Sequence, residues 1–177
     1  MDKRVLLLHG WGGSDFPHWQ SWLAGELAKD YGKVSFLKFS NFDFPEFEIW
    51  KKELTKELAE FKPDIVICHS LANTLWFHLC NDNNLKTVEK LYLVAPPSLK
   101  CEIDELKTFF PLHMPTNPHA KKSTVIVSKD DPYITIDETK KIQKSINADI
   151  KILENAGHIN AESGYGHWDW ILQNIKN

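Results

Sequence analysis

The sequence predicts an α/β protein built on a parallel six-stranded sheet, in the order 2-1-3-4-5-6, with helices on both faces. Three observations predict it. Short runs rich in Val, Ile and Leu recur along the chain, as expected of strands buried on both faces. Longer segments between them carry apolar residues at three- and four-residue steps, the helical period. Glycines and polar residues gather directly after the runs, and a sheet of this kind binds its ligand beyond the carboxyl ends of its strands.

The elements follow in order. Residues 4 to 8 (RVLLL) form the first strand and a helix near 18 to 30 follows. The second strand spans 33 to 38 (KVSFLK). The helix after it, 46 to 61, places Phe47, Trp50, Leu54, Leu58 and Phe61 on one stripe with Glu and Lys between them. Strand three is 64 to 68 (DIVIC), with a helix at 71 to 80, and strand four is 90 to 94 (KLYLV). The stretch from Pro96 to Lys122 breaks the rhythm with Pro97, Pro111, Pro115 and Pro118 and a Thr-Asn-Pro-His turn signal. It reads as loop with a short helix at Asp104 to Phe110. Strands at 124 to 128 (TVIVS) and 149 to 153 (DIKIL) flank a helix at 136 to 147, and a last helix lies near 167 to 175.

At 177 residues the chain has the length of one domain, 1–177, able to bury roughly 70% of its unfolded surface. Hydrophobic residues at 42% and charged residues at 25% exclude a disordered chain. A net charge of -3 offers no basic field for a phosphate backbone, so no nucleic-acid partner is expected. Cys68, Cys80 and Cys101 are too few for a disulfide framework and form no CxxC clamp, which fits a cytoplasmic protein. The opening Met-Asp-Lys-Arg leads into only four apolar residues, too short for a signal peptide. No stretch reaches the roughly 20 apolar residues of a membrane span.

The strand ends carry the chemistry. After strand one stands His9-Gly10-Trp11-Gly12-Gly13, after strand three His69-Ser70-Leu71-Ala72, after strand five Lys129-Asp130-Asp131-Pro132 and after strand six Asn155-Ala156-Gly157-His158. Serine, acid and histidine thus appear in the chain order that α/β-hydrolases use. Ser70 falls where a strand turns sharply into a helix, the geometry of a nucleophile elbow, which needs small residues two positions away on either side. Cys68 and Ala72 meet that need where two glycines are usual. The competing reading of Ser70 is an N-cap for the next helix. His158, on a loop after the last strand, suits a general base. Asp131 would orient it, with Asp130 as rival; Pro132 stiffens the turn that aims Asp131. The backbone N–H groups of Trp11 and Leu71 would form the oxyanion hole. His9, Gly10, His18, Trp19 and Trp76 are the candidate lining of the substrate pocket, with Phe109, Phe110, Leu112 and Met114 as an apolar wall. Neither GxGxxG nor GxxxxGK is present, and no HExxH or HxH pattern marks a metal site.

The stretch from His9-Gly10-Trp11-Gly12-Gly13 through His18-Trp19-Gln20-Ser21-Trp22-Leu23, then His69-Ser70-Leu71, Ser128-Lys129-Asp130-Asp131-Pro132 and Gly157-His158-Ile159-Asn160, resembles the small α/β-hydrolase-fold serine hydrolases of the YdeN and retinoblastoma-binding protein nine family. The likeness covers nearly the whole chain. Members usually read Gly-His-Ser-Leu-Gly at the elbow, and Cys68 and Ala72 depart from that. The resemblance implies a single α/β-hydrolase domain with no lid domain, no metal or organic cofactor, and hydrolysis of a small acyl substrate through Ser70, Asp131 and His158. The alternative is a catalytically silent member that serves as a protein-binding scaffold, because a fold alone certifies no activity. Physiological substrate and protein partners are not legible in the sequence.

Overall fold

A computed structural model describes residues 3–29, 32–82 and 85–176. Six parallel strands form one sheet: β1 (Arg4–Leu8), β2 (Lys33–Leu37), β3 (Ile65–His69), β4 (Val88–Val94), β5 (Ala120–Ser128) and β6 (Asp149–Leu153), ordered β2-β1-β3-β4-β5-β6. The helices are α1 (Trp19–Lys29), α2 (Phe47–Phe61), α3 (Leu71–Cys80), α4 (Ile136–Ser145) and α5 (Asp169–Lys176), with a 3-10 helix at Asp104–Phe109 between β4 and β5. Each expected element is present, with ends moved by a few residues. The expected end of the first helix at position 30 lies outside the described residues. The largest shift is in β5, which starts at Ala120 rather than at 124. Its first residues include exposed Lys121 and Lys122, held by pairing with Val88 to Leu91 and so invisible to a search for apolar runs.

Successive side chains of a strand point to opposite faces, and the core divides accordingly. Leu6, Leu8, Val66, Cys68, Leu91, Leu93, Val125 and Val127 pack on one face with residues of α2, α3 and α4. Val5, Leu7, Ile65, Ile67, Tyr92, Val94 and Ile126 pack on the other with α1 and α5. Each fully buried Leu, Ile or Val contributes about 1.5–3 kcal/mol relative to exposure. Central strand β3 is buried throughout, and α3, which leaves its end, is buried over nearly its whole length. The base of the elbow is therefore set deep in the core. Helix α4 begins with a capping box, the Thr135 hydroxyl accepting from the Glu138 N–H while the Glu138 carboxylate accepts from the Thr135 N–H.

The chain runs from β1 outward to β2 and returns to β3 on the other side of β1. The strand order thus reverses between β1 and β3, the place where open α/β sheets form their ligand crevice. The loops after β1 and β3 emerge there side by side.

Candidate active site

Ser70 stands between β3 and α3 with φ 53 and ψ -123. A non-glycine residue in that conformation is strained by about 1–3 kcal/mol and persists only where its surroundings over-determine it. The surroundings do so. The Ser70 N–H donates to the Val94 carbonyl at 3.0 Å, and the side-chain amide of Asn73 donates to the carbonyls of Ser70 (2.8 Å) and Val94 (2.9 Å). Asn73 bolts the elbow to β4, a role that sequence reasoning missed although the residue stands three places after the serine. Ser70 makes no side-chain cap to α3, so the N-cap reading does not describe it.

Gly10 lies against this turn. A Cβ there would meet the Ser70 Cβ at 2.6 Å, the His69 carbonyl oxygen at 3.0 Å and the Leu71 nitrogen at 3.2 Å. Only glycine lets the loop after β1 approach so closely. That loop is held by the Gly13 N–H donating to the Gly10 carbonyl and the Gly12 N–H to the Phe42 carbonyl. The backbone N–H groups of Trp11 and Leu71 donate to no backbone acceptor among the described residues, leaving both available for an oxyanion.

His158 is placed by the loop after β6, and the rival acid shapes that loop. Asp130 Oδ1 accepts from the Ser128 hydroxyl, the Ala156 N–H (3.1 Å) and the Gly157 N–H (3.0 Å). The Ser128 hydroxyl above all holds the Asp130 carboxyl below its ordinary range. Gly157 has φ +50, and a Cβ there would meet the Ser163 Oγ at 2.5 Å. Beyond the histidine, the Trp19 indole N–H donates to the Ile159 carbonyl at 2.8 Å, and the His69 Nε2–H donates to the His158 carbonyl at 3.1 Å. Asp130, Trp19 and His69, from three separate segments, thus fix the backbone on either side of the imidazole.

That imidazole joins the acid to the serine. Its Nδ1 lies 3.0 and 3.1 Å from the two oxygens of Asp131, and its Nε2 lies 2.8 Å from the Ser70 Oγ. A carboxylate only accepts, so Nδ1 carries the hydrogen and Nε2 presents its lone pair to the serine hydroxyl. The Asp131 side chain is fully buried and also accepts from the Tyr133 N–H at 2.9 Å. The Tyr133 ring packs edge-on against His158, centroids 4.6 Å apart; nothing in the sequence had singled it out.

A cavity of about 580 Å³ opens over Ser70. Its walls include Trp11, Ser14, His18, Leu71, Tyr133 and Asn160, with Pro97, Cys101, Ile103 and Leu106 from the segment after β4. Several expected lining residues lie elsewhere. His9 is buried among Phe36, Phe39, Phe42 and Trp50; its Nε2 accepts from the Phe39 N–H and its Nδ1–H donates to the Gly10 carbonyl. Gly10 lies behind the elbow. Trp19 and Trp76 are fully buried, the Trp76 indole donating to the Pro118 carbonyl. Phe109 belongs to the core, edge-on against Trp50, and Phe110, Leu112 and Met114 are partly buried against that core. The apolar wall is made instead by the residues just after β4. An indole is equally apolar in core and pocket, and sequence cannot separate the two.

Burial disfavours charge on His9, His18 and His69. Burial pushes His69 well below its ordinary pKa, lowers His9, and, with His158 nearby, brings His18 down to about 4. Burial raises the Cys68 thiol, so it packs as an apolar group. Among the described residues no group of His, Cys, Asp or Glu could hold a metal ion, and no helix is long and apolar enough to cross a membrane.

Comparison with known proteins places the chain. The family model described as serine hydrolase matches residues 5–177. YdeN of Bacillus subtilis (strain 168), named as a hydrolase, is 26% identical over 172 residues, covering 93% of this chain and 90% of its own. The crystal structure of the B. subtilis ydeN gene product superposes with a TM-score of 0.86 at 22% identity, covering 98% of this chain and 97% of that one. A YdeN-like hydrolase of Pectobacterium atrosepticum gives a TM-score of 0.75 at 23% identity over 98% and 89% of the two chains. The Pyrococcus furiosus esterase Pf2001 gives 0.68 at 16% identity over 98% and 80%. These superpositions show the α/β-hydrolase fold.

Proposed function

Because the chain belongs to the serine hydrolase family, we propose that it cleaves small carboxylic ester, thioester or amide substrates through an acyl-enzyme on Ser70. The observation that carries this reading is the unbroken hydrogen-bonded line from the Ser70 Oγ through His158 to Asp131. The Ser70 oxygen attacks the substrate carbonyl as its proton passes to His158 Nε2, and Asp131 stabilises the imidazolium. The N–H groups of Trp11 and Leu71 hold the oxyanion. Its collapse breaks the bond to the leaving group, which takes the proton from His158. Water, giving a proton to His158, then cleaves the acyl-enzyme, and the proton returns to Ser70.

The substrate is small. The segment between β4 and β5 contributes a 3-10 helix and a cavity wall of Pro97, Cys101, Ile103 and Leu106. Each covered methylene adds about 0.8 kcal/mol, and only while it stays covered. The chain works as one domain in the cytoplasm, a reading that three unpaired cysteines support. Rates on p-nitrophenyl esters from acetate to palmitate test it. The short esters should be turned over, with no jump in rate when the substrate forms micelles. A steady rise to palmitate, or no turnover of any ester, thioester or amide, would overturn it.

A further inference from the structure

Among the described residues, two polar groups in the cavity wall have no partner. Buried polar atoms are nearly always hydrogen-bonded, yet the Ser14 Oγ and the His18 Nε2 meet no acceptor or donor. Both residues line the cavity, Ser14 4% and His18 5% exposed. The Gln20 N–H donates to the His18 Nδ1 at 3.1 Å, so the hydrogen of the neutral ring sits on Nε2, as a donor. The depressed pKa of His18 keeps the ring neutral at physiological pH. The surroundings hold both residues in place: the Ser21 hydroxyl donates to the Ser14 carbonyl, and Gln20 donates to the Leu8 carbonyl at 3.0 Å.

The position of His18 along the cavity says which part of a substrate it faces. The His18 ring lies 4.9 Å from that of His69, which lies 5.3 Å from that of His158. His18 therefore stands on the side of the base, and the leaving group must be on that side to take its proton. His69 cannot serve as the donor, since its Nε2–H is engaged by the His158 carbonyl. Asp15, Glu102 and Glu162 outnumber Lys100 among the charged groups lining the cavity, which disfavours an anionic partner.

We infer that Ser14 and His18 form a subsite for a neutral oxygen acceptor on the leaving group, so that the enzyme prefers esters of ether- or hydroxyl-bearing alcohols to those of plain alkyl alcohols of equal length. This rests on the acyl-transfer reading of Ser70. Both polar atoms are shielded from water in the unliganded protein, so the acceptor meets donors with no hydration to lose. Reaching them takes a side-chain adjustment of the kind common on binding.

The test uses matched pairs. 2-Methoxyethyl acetate and n-butyl acetate differ by an ether oxygen in place of a methylene, as do 3-methoxypropyl and n-pentyl acetate. The kcat/KM ratio of each pair is divided by the ratio of their hydroxide-catalysed rates. The ether ester should be favoured about fivefold to tenfold in at least one pair, the size expected for one recovered hydrogen bond. The preference should fall below twofold in His18→Phe and be reduced in Ser14→Ala, which carries the comparison alone if His18→Phe does not fold. A preference below twofold in both pairs, or one unchanged in the variants, overturns the inference. Failure to hydrolyse all four also overturns it, and the Ser70 reading falls with it only if p-nitrophenyl acetate is left intact too.

Discussion

Asp131 and His158 meet through both carboxylate oxygens, at 3.0 and 3.1 Å from Nδ1, while the neighbouring Asp130 grips the backbone two residues and one residue before the same histidine. Adjacent acids therefore serve one imidazole in different ways, one holding the ring and the other its loop.

The two can be separated by substitution. Asp131→Asn should slow turnover about 10⁴-fold, as removal of the orienting carboxylate does in a serine protease. Asp130→Asn keeps an oxygen for the Ala156 and Gly157 N–H groups and should cost less than about tenfold, with Asp130→Ala worse than Asp130→Asn. Measured kcat values check this; equal losses at the two positions would contradict it.

Gly10→Ala should damage both fold and activity, because its Cβ would press on the Ser70 Cβ and the His69 carbonyl at 2.6 and 3.0 Å. Overpacking of this kind costs about 1–3 kcal/mol, and the displaced elbow should lose at least about 100-fold in kcat. Urea unfolding and kinetics on one preparation check both. Wild-type kinetics would mean that the loop after β1 does not brace the elbow.

Acid should destabilise the protein before its carboxylates titrate. His9, His18 and His69 have lowered pKa values in the fold, His18 about 4, against 6.5 when unfolded. Below pH 6.5 the unfolded chain binds protons that the native one does not, so stability falls as pH falls, by at most about 1.4 kcal/mol per pH unit for each histidine. The share of His18 is exhausted near pH 4, and full stability is present above 6.5. Urea unfolding at pH 7.0 and 5.5 should differ by about 2–4 kcal/mol; equal stability would show that these rings are not buried neutral.

Trp76→Phe should lower stability by about 1–3 kcal/mol, through lost packing and an unpaired Pro118 carbonyl, and leave KM for short esters unchanged. A raised KM would return Trp76 to the cavity.

The fold was legible because its central strands are buried on both faces and read as short apolar runs; β5 was cut short where Lys121 and Lys122 extend it past the core. The residues meeting at Ser70 were legible because a parallel sheet brings every strand end to one edge. What holds them was not. Asn73, Tyr133 and the grip of Asp130 act through contacts between segments 20 or more residues apart, or through a turn whose exact path no local pattern records. The indoles of Trp19 and Trp76 misled for a similar reason, each being fixed by a distant carbonyl.

The central claim, that Ser70 is activated by His158, is tested most directly by a fluorophosphonate, which reacts quickly only with a serine whose base and oxyanion donors are already assembled. Mass spectrometry of the treated protein should find one adduct, on the peptide holding Ser70, absent from Ser70→Ala and strongly slowed in His158→Ala. Adduct on another residue, or undiminished labelling of His158→Ala, would contradict the account.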